Sequence, residues 1–331
     1  MSILTCFFLC LIIPYAASIS FNFTYLTPSN KDVILSGDAA YSMTEDGIQV
    51  TYKTINRSWE GLAGRATYIR PLHLWNNDTT DLASFSTSFT FAMKSQNQNN
   101  NIYGDGLTFF LAQNNSLINA GGSMGLPFIY QNNTNLYPFV AVEFDTYTDE
   151  WDPYLVGINH VGININSLIS VAYRNWQGDI LGGSESRASI SYDSVSKNIS
   201  VSFTSLENNS VVLETGLDYT IDLRDVLPEW VIFGFSASTG DGYEENKVKS
   251  WMFNSTVFKG EENNGLAPTK NIDQSSIVPT TNNIVPSSSV PQTVNFDQSN
   301  NVPTTTTTNV GKMGLIGGSM LVLVFHYMAV L

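Results

Sequence analysis

The chain has 331 residues and carries 15 Lys and Arg against 29 Asp and Glu, a net charge of −14. That balance excludes nucleic acid as a partner, because a phosphate backbone would be repelled rather than neutralised. Both cysteines, Cys6 and Cys10, fall in an apolar N-terminal run, so the chain that follows must rely on a large core instead of disulfide staples.

Residues 1–20 read as a secretory signal peptide: the apolar stretch "ILTCFFLCLIIPY" is followed by the small residues of "AASIS". Eight N-x-Ser/Thr sequons, at Asn22, Asn56, Asn77, Asn114, Asn132, Asn198, Asn208 and Asn254, agree with export and with a glycoprotein. From 21 to 259 the chain is rich in aromatic and β-branched residues. "FSTSFTFAM", "ASISYDSV" and "ISVSFTSL" alternate with period two, and the last two are joined through "SKN" as a hairpin. "GLTFFLA", "YPFVAVEF" and "WVIFGFSAS" are continuously apolar, which predicts strands covered on both faces. The one helical hint is a turn around "LRDVLPEW". The predicted fold is all-β, a large antiparallel β-sandwich in one domain.

Residues 260–312 lose their aromatics to Pro, Ser, Thr and Asn. Such a composition cannot bury enough apolar surface to offset chain entropy, and it reads as a stalk. Residues 313–331 form an uncharged apolar tail. It fits either a transmembrane span or the signal for a glycolipid anchor, attached at Ser299–Asn301 or near Asn309. Either reading places the domain outside the cell, held to the plasma membrane through the tail.

The chemistry concentrates in "VAVEFDTYTDEWDP", Val140 to Pro153. Crowded carboxylates are costly in a low-dielectric setting unless something cancels their charge. On one strand Glu143, Asp145 and Tyr147 share a face, while Asp149 and Asp152 occupy the turn beyond. His160 opens "HVGINI", a strand able to fold back alongside. Oxygen ligands suit calcium, and carboxylates with one imidazole suit manganese or a similar ion. An exposed acidic turn with a packed histidine would carry the same residues, and both readings stand on the chemistry alone.

The same stretch, continued to "NHVGININS", resembles the metal-binding signature of the legume (L-type) lectins. "FNFTYL", "GDGLTFFLA", "GGSMGLPF", "LPEWVIFGFSASTG" and "VKSWMF" follow in that family's order, and the resemblance covers Phe21 to Phe258. With its stalk and tail the chain is similar to the ectodomains of plant lectin-type receptor kinases, without the kinase. The resemblance implies that Glu143, Asp145, Asp152 and His160 hold the transition ion. It implies that Asp145, the Tyr147 carbonyl, Asp149 and Asp152 hold calcium. It further implies a cis peptide between Gly104 and Asp105, a sugar-binding Asp105, an amide donor at Gly122 and a stacking ring at Tyr147. Asp241 and Gly242 fall where the family varies its sugar contacts.

One departure matters. The family usually has asparagine at the position of Asp149 and a loop one residue longer. An ionised aspartate accepts hydrogen bonds but cannot donate one to a sugar hydroxyl. The implied function is a metal-dependent, glycan-binding protein of the cell surface serving recognition or defence. The alternative is a lectin-like module whose degenerate site binds a protein or an apolar ligand. A homodimer is open on either reading. An enzyme is not expected: retaining glycoside hydrolysis needs a second carboxyl about 5–5.5 Å from the first, and Tyr147 and Thr148 stand where that carboxyl would be.

Overall fold

The computed structural model describes residues 18–256, apart from 46, 97–101, 130–133, 153–158 and 209. Residues 1–17 of the leader, the whole stalk region and the tail lie outside the described residues, as does Asn132 of its sequon. The architecture is antiparallel throughout. One eight-stranded sheet runs Ser210–Thr220, Asn198–Glu207, Glu185–Asp193, Phe85–Ser95, Glu244–Ser255, Ile48–Gln49 and Ala40–Tyr41, with Ser20–Phe23 also paired to Glu244–Ser255. The other runs Ala172–Asn175, His160–Ile165, Phe139–Asp145, Gly106–Gln113, Trp230–Ser238, Ala63–Tyr68 and Val33–Gly37, with Leu72–His73 on Trp230–Ser238.

The alternating strands do what their pattern predicts. Glu185–Asp193 and Asn198–Glu207 pair as a hairpin, with Ile190 opposite Val201, and every second side chain is buried. Their inward residues meet an aromatic core contributed by both sheets. Phe89 and Phe235 approach edge to face at 4.8 Å, Phe235 meets Trp251 at 5.0 Å, and Phe233 stacks on Phe253 at 4.2 Å. Edge-to-face and offset rings of this kind add to the burial of large apolar area.

The continuously apolar strands are covered twice. Leu107, Phe109 and Leu111 face the inter-sheet core, while Phe110 and Ala112 join Leu126, Phe128, Phe139 and Leu168 in a second cluster outside it. That outer cluster seats the loop segment 116–129 against the sheet. The helical hint is one 3₁₀ turn, Leu223–Asp225, capped by Asp222 accepting from the Arg224 amide at 3.2 Å.

Candidate functional site

Two neighbouring strands build the acidic cluster. Phe139–Asp145 pairs antiparallel with His160–Ile165, which sets Asp145 opposite His160 and Glu143 opposite Gly162. The absence of a side chain at Gly162 makes room for Glu143: a Cβ there would fall 2.6 Å from Glu143 Oε1. Glu143, Asp145 and His160 each offer a ligand atom, all within 4.8 Å of one another and all buried. His160 Nε2 faces Glu143 Oε1 at 3.1 Å, and Ser170 donates its hydroxyl to the same oxygen. Glu143 Oε2 and His160 Nδ1 have no partner among the described residues.

Asp152 stands outside that triad but belongs to the same field. Its Oδ2 accepts from the Asp149 amide at 2.7 Å, and its charge acts on both Asp145 and His160. Burial, then Asp152 and Glu143, pushes Asp145 well above the usual carboxylate range. Burial and the charge of Asp152 raise Asp149 to about 7, and burial with the Glu143 charge raises Asp152 to about 6. His160 is raised as well: burial opposes its charged form, but the Glu143 hydrogen bond and the Glu143 and Asp152 charges outweigh that. Buried carboxylates that cannot all ionise, with unpartnered oxygen and nitrogen atoms, form a donor set that fits a divalent cation.

Beside this cluster opens a cleft of about 580 Å³. Asp105, Gly122, Tyr147, Asp149 and Asp241 line it together. The peptide between Gly104 and Asp105 is cis. Asp105 is buried, its amide donates to Ser238 O at 3.1 Å, and its Oδ2 has no partner among the described residues. Burial, then the Asp149 and Asp241 charges, raises Asp105 to about 8. A Cβ on Gly122 would fall 2.6 Å from Asp149 Oδ2, so only glycine permits that approach.

Two placements differ from the sequence reading. The strand ends at Asp145, and Tyr147 lies past it in the turn, so it does not continue the Glu143–Asp145 face. Its amide donates to Asp145 Oδ1 at 2.9 Å. That bond turns the chain, and the side chain goes to the cleft. Gly242 is not in the cleft lining, since it packs against the backbone of Tyr103 and Gly104.

Several residues of the site went unread in the sequence. Asn119, Gly121 and Ser123 form one wall, and Glu60 and Gly61 another. Arg65 holds the first wall from behind. It is 3% exposed and stacks on Phe110 at 4.8 Å. Its guanidinium donates to Gly125 O at 2.6 and 2.9 Å, Leu117 O at 2.6 Å, Ser116 O at 3.0 Å and Ser116 Oγ at 2.9 Å. Thr146 joins two further parts: its amide donates to Asp105 O at 3.2 Å and its hydroxyl to the buried Glu244 Oε1 at 3.0 Å. An apolar strand with one arginine was the only available signal for the Arg65 pin.

The family model described as "Legume lectin domain" matches residues 18–269. The chain belongs to the legume lectin family. This lectin is 40% identical over 246 residues to Agglutinin-2 of Cladrastis kentukea, covering 72% of this chain and 82% of that one. It is 37% identical over 251 residues to the L-type lectin-domain containing receptor kinase IX.1 of Arabidopsis thaliana, covering 75% of this chain but 37% of that protein. Among solved structures it is similar to lectin I from Ulex europaeus in complex with the methyl glycoside of α-L-fucose. That match has a TM-score of 0.63 and 35% identity, and covers 72% of this lectin and 98% of that chain. The family is one of carbohydrate-binding, non-enzymatic proteins.

Proposed function

We propose that this domain binds a glycan in the cleft lined by Asp105, Gly122, Tyr147 and Asp149, with calcium and a manganese-like ion bound beside it. The carrying observation is Asp105, a buried carboxylate that lines one cleft together with an aromatic ring and a glycine, and whose Oδ2 has no partner among the described residues. Asp105 accepts from sugar hydroxyls, the Gly122 amide donates, and the Tyr147 ring lies on the apolar face of the pyranose. Glu143, Asp145, Asp152 and His160 would hold the transition ion, while Asp145, the Tyr147 carbonyl, Asp149 and Asp152 would hold calcium. Bound cations supply the positive charge that keeps these carboxylates ionised and the Tyr147–Asp152 turn in one conformation. Asp241 adds a further acceptor at the rim.

The likeness to a fucoside-bound lectin supports the glycan reading. The domain is exported, N-glycosylated and displayed on the plasma membrane through residues 260–331, in recognition or defence. Glycan-array binding measured with and without chelator tests the site: binding that disappears with chelator and returns with calcium and manganese supports it. A second reading rests on Asp149, whose carboxylate stands against Gly122 where the family carries an amide. If no glycan binds with both cations present, the cleft serves a protein or apolar ligand.

A further inference from the structure

The buried carboxylate of the cleft is tied, through one intermediary, to the opposite sheet. Asp105 stands just before the strand Gly106–Gln113, between the ends of two neighbouring strands. Its amide donates to Ser238 O at 3.1 Å, and its carbonyl accepts from the Thr146 amide at 3.2 Å. Thr146 in turn donates its hydroxyl to Glu244 Oε1 at 3.0 Å. Glu244 opens Glu244–Ser255, a strand of the other sheet, where it pairs with Ser95. The bond between Thr146 and Glu244 therefore crosses from one sheet to the other.

The surroundings of Glu244 are closed to solvent: Thr51, Thr146, Glu244 and Asn246 are all fully buried. Thr51 Oγ1 donates to Glu244 O at 3.1 Å and accepts from the Asn246 backbone amide at 3.2 Å, which fixes the backbone carrying the carboxyl. Glu244 Oε2 and Asn246 Oδ1 have no partner among the described residues. Residues two apart on a strand share a face, so two acceptors stand on one face without a donor, and a proton on Glu244 supplies it. Burial, opposed by the Thr146 bond and reinforced by the Asp105 charge, raises Glu244 to about 8. The uncharged acid accepts at one oxygen and donates from the other. We propose that Glu244 is a positioning residue of the sugar cleft: through Thr146 it fixes the peptide of Asp105, and so the place of the carboxylate that meets the sugar. The proposal rests on the glycan reading of the cleft given above. Glu244 does not line the cleft, so it acts only through Thr146. A binding group must be held to within about 0.5 Å by packed, hydrogen-bonded neighbours, and this chain of bonds is such a support.

The full chain, with calcium and manganese present, is titrated calorimetrically with methyl α-L-fucoside, or with the strongest binder on the array. Glu244→Leu cannot accept from Thr146 and should raise Kd about tenfold, and Thr146→Val should do the same. The double variant should lose no more than either single one, because each substitution removes the same interaction. Glu244→Gln keeps an acceptor for Thr146 and a donor for Asn246 Oδ1, so it should recover the affinity that leucine loses. The rise in melting temperature on adding the cations should remain in every variant, which separates positioning from general disruption. If Glu244→Leu does not fold, Thr146→Val against Thr146→Ser, which keeps the hydroxyl, gives the same comparison. Wild-type affinity in folded Glu244→Leu and Thr146→Val overturns the proposal. So does a glutamine loss as large as the leucine one, additive losses in the double variant, or affinity and cation response lost together. A wild-type protein that binds no glycan with both cations present overturns the glycan reading instead, and this proposal falls with it.

Discussion

Glu143 and His160 lie on adjacent strands with Oε1 and Nε2 3.1 Å apart, and each side chain is 1% exposed. A buried pair of this kind is weak evidence for stability by itself, because desolvation offsets much of the attraction. With Asp145 and Asp152 beside it the cluster carries excess negative charge, which a divalent cation would cancel. Chelation should therefore lower the melting temperature, and calcium with manganese should restore it. At a hundredfold excess over Kd, mass action contributes about 2.7 kcal/mol. Scanning calorimetry checks this, and His160→Ala should shrink the shift. An unchanged melting temperature, with no metal by elemental analysis, would leave only an acidic turn.

The pH dependence of the chelated domain follows from the same charges. Asp105, Asp149 and Asp152 are raised to about 8, 7 and 6 from an ordinary 3.8. Each then binds more protons folded than unfolded between those limits, so unfolding free energy falls as pH rises. Their stabilising contribution is complete below about pH 4 and is lost as pH climbs through 6 to 8. Denaturant melts of chelated protein should show that decline, and bound cations, which favour the ionised forms, should flatten it. A chelated domain that gains stability from pH 5 to 8 would contradict the assignment.

Asp149 offers a direct test of the sugar site. Asp149→Asn keeps an oxygen for calcium and adds a donor facing the cleft. Glycan affinity should rise by about tenfold to a hundredfold, the equivalent of one recovered hydrogen bond of 1–3 kcal/mol. Asp105→Ala should abolish binding, and Gly122→Ala should do the same by colliding with Asp149 Oδ2. Titration calorimetry with a glycan found on the array measures all three, with calcium occupancy held constant.

Arg65 should separate sugar binding from metal binding. Arg65→Lys keeps the charge but not the planar fork, so it can satisfy fewer of the oxygens at Ser116, Leu117 and Gly125. The Asn119–Ser123 wall should loosen and glycan affinity should fall by about tenfold or more, in line with one or two lost hydrogen bonds. The shift in melting temperature on adding metal should persist, because among the described residues the Arg65 guanidinium bonds to Ser116, Leu117 and Gly125 and not to the acidic cluster. Equal losses of both would mean that the substitution merely unfolds the domain.

Much of this protein is written locally. Period-two alternation in Glu185–Asp193 and Asn198–Glu207 determined the hairpin, because a strand must send alternate side chains to opposite faces. Continuous apolarity in Gly106–Gln113 likewise announced a strand covered on both sides. Carboxylates two apart in Phe139–Asp145, with His160 opening the following strand, made these residues neighbours in the sequence reading, but their burial, which separates a buried cluster from an exposed acidic turn, came with the packed sheet. The cleft was not readable in the same way. Its walls come from segments far apart in the chain, and Arg65 reaches Gly125 across 60 positions. Tyr147 enters it only because its amide folds back on Asp145 Oδ1, and Gly242 misses it only because the backbone of Tyr103 lies against it. Periodicity records which face a side chain leaves by, not which distant loop it then meets. That meeting is decided by sheet register and by hydrogen bonds the buried groups must find, so only the tertiary structure supplies it.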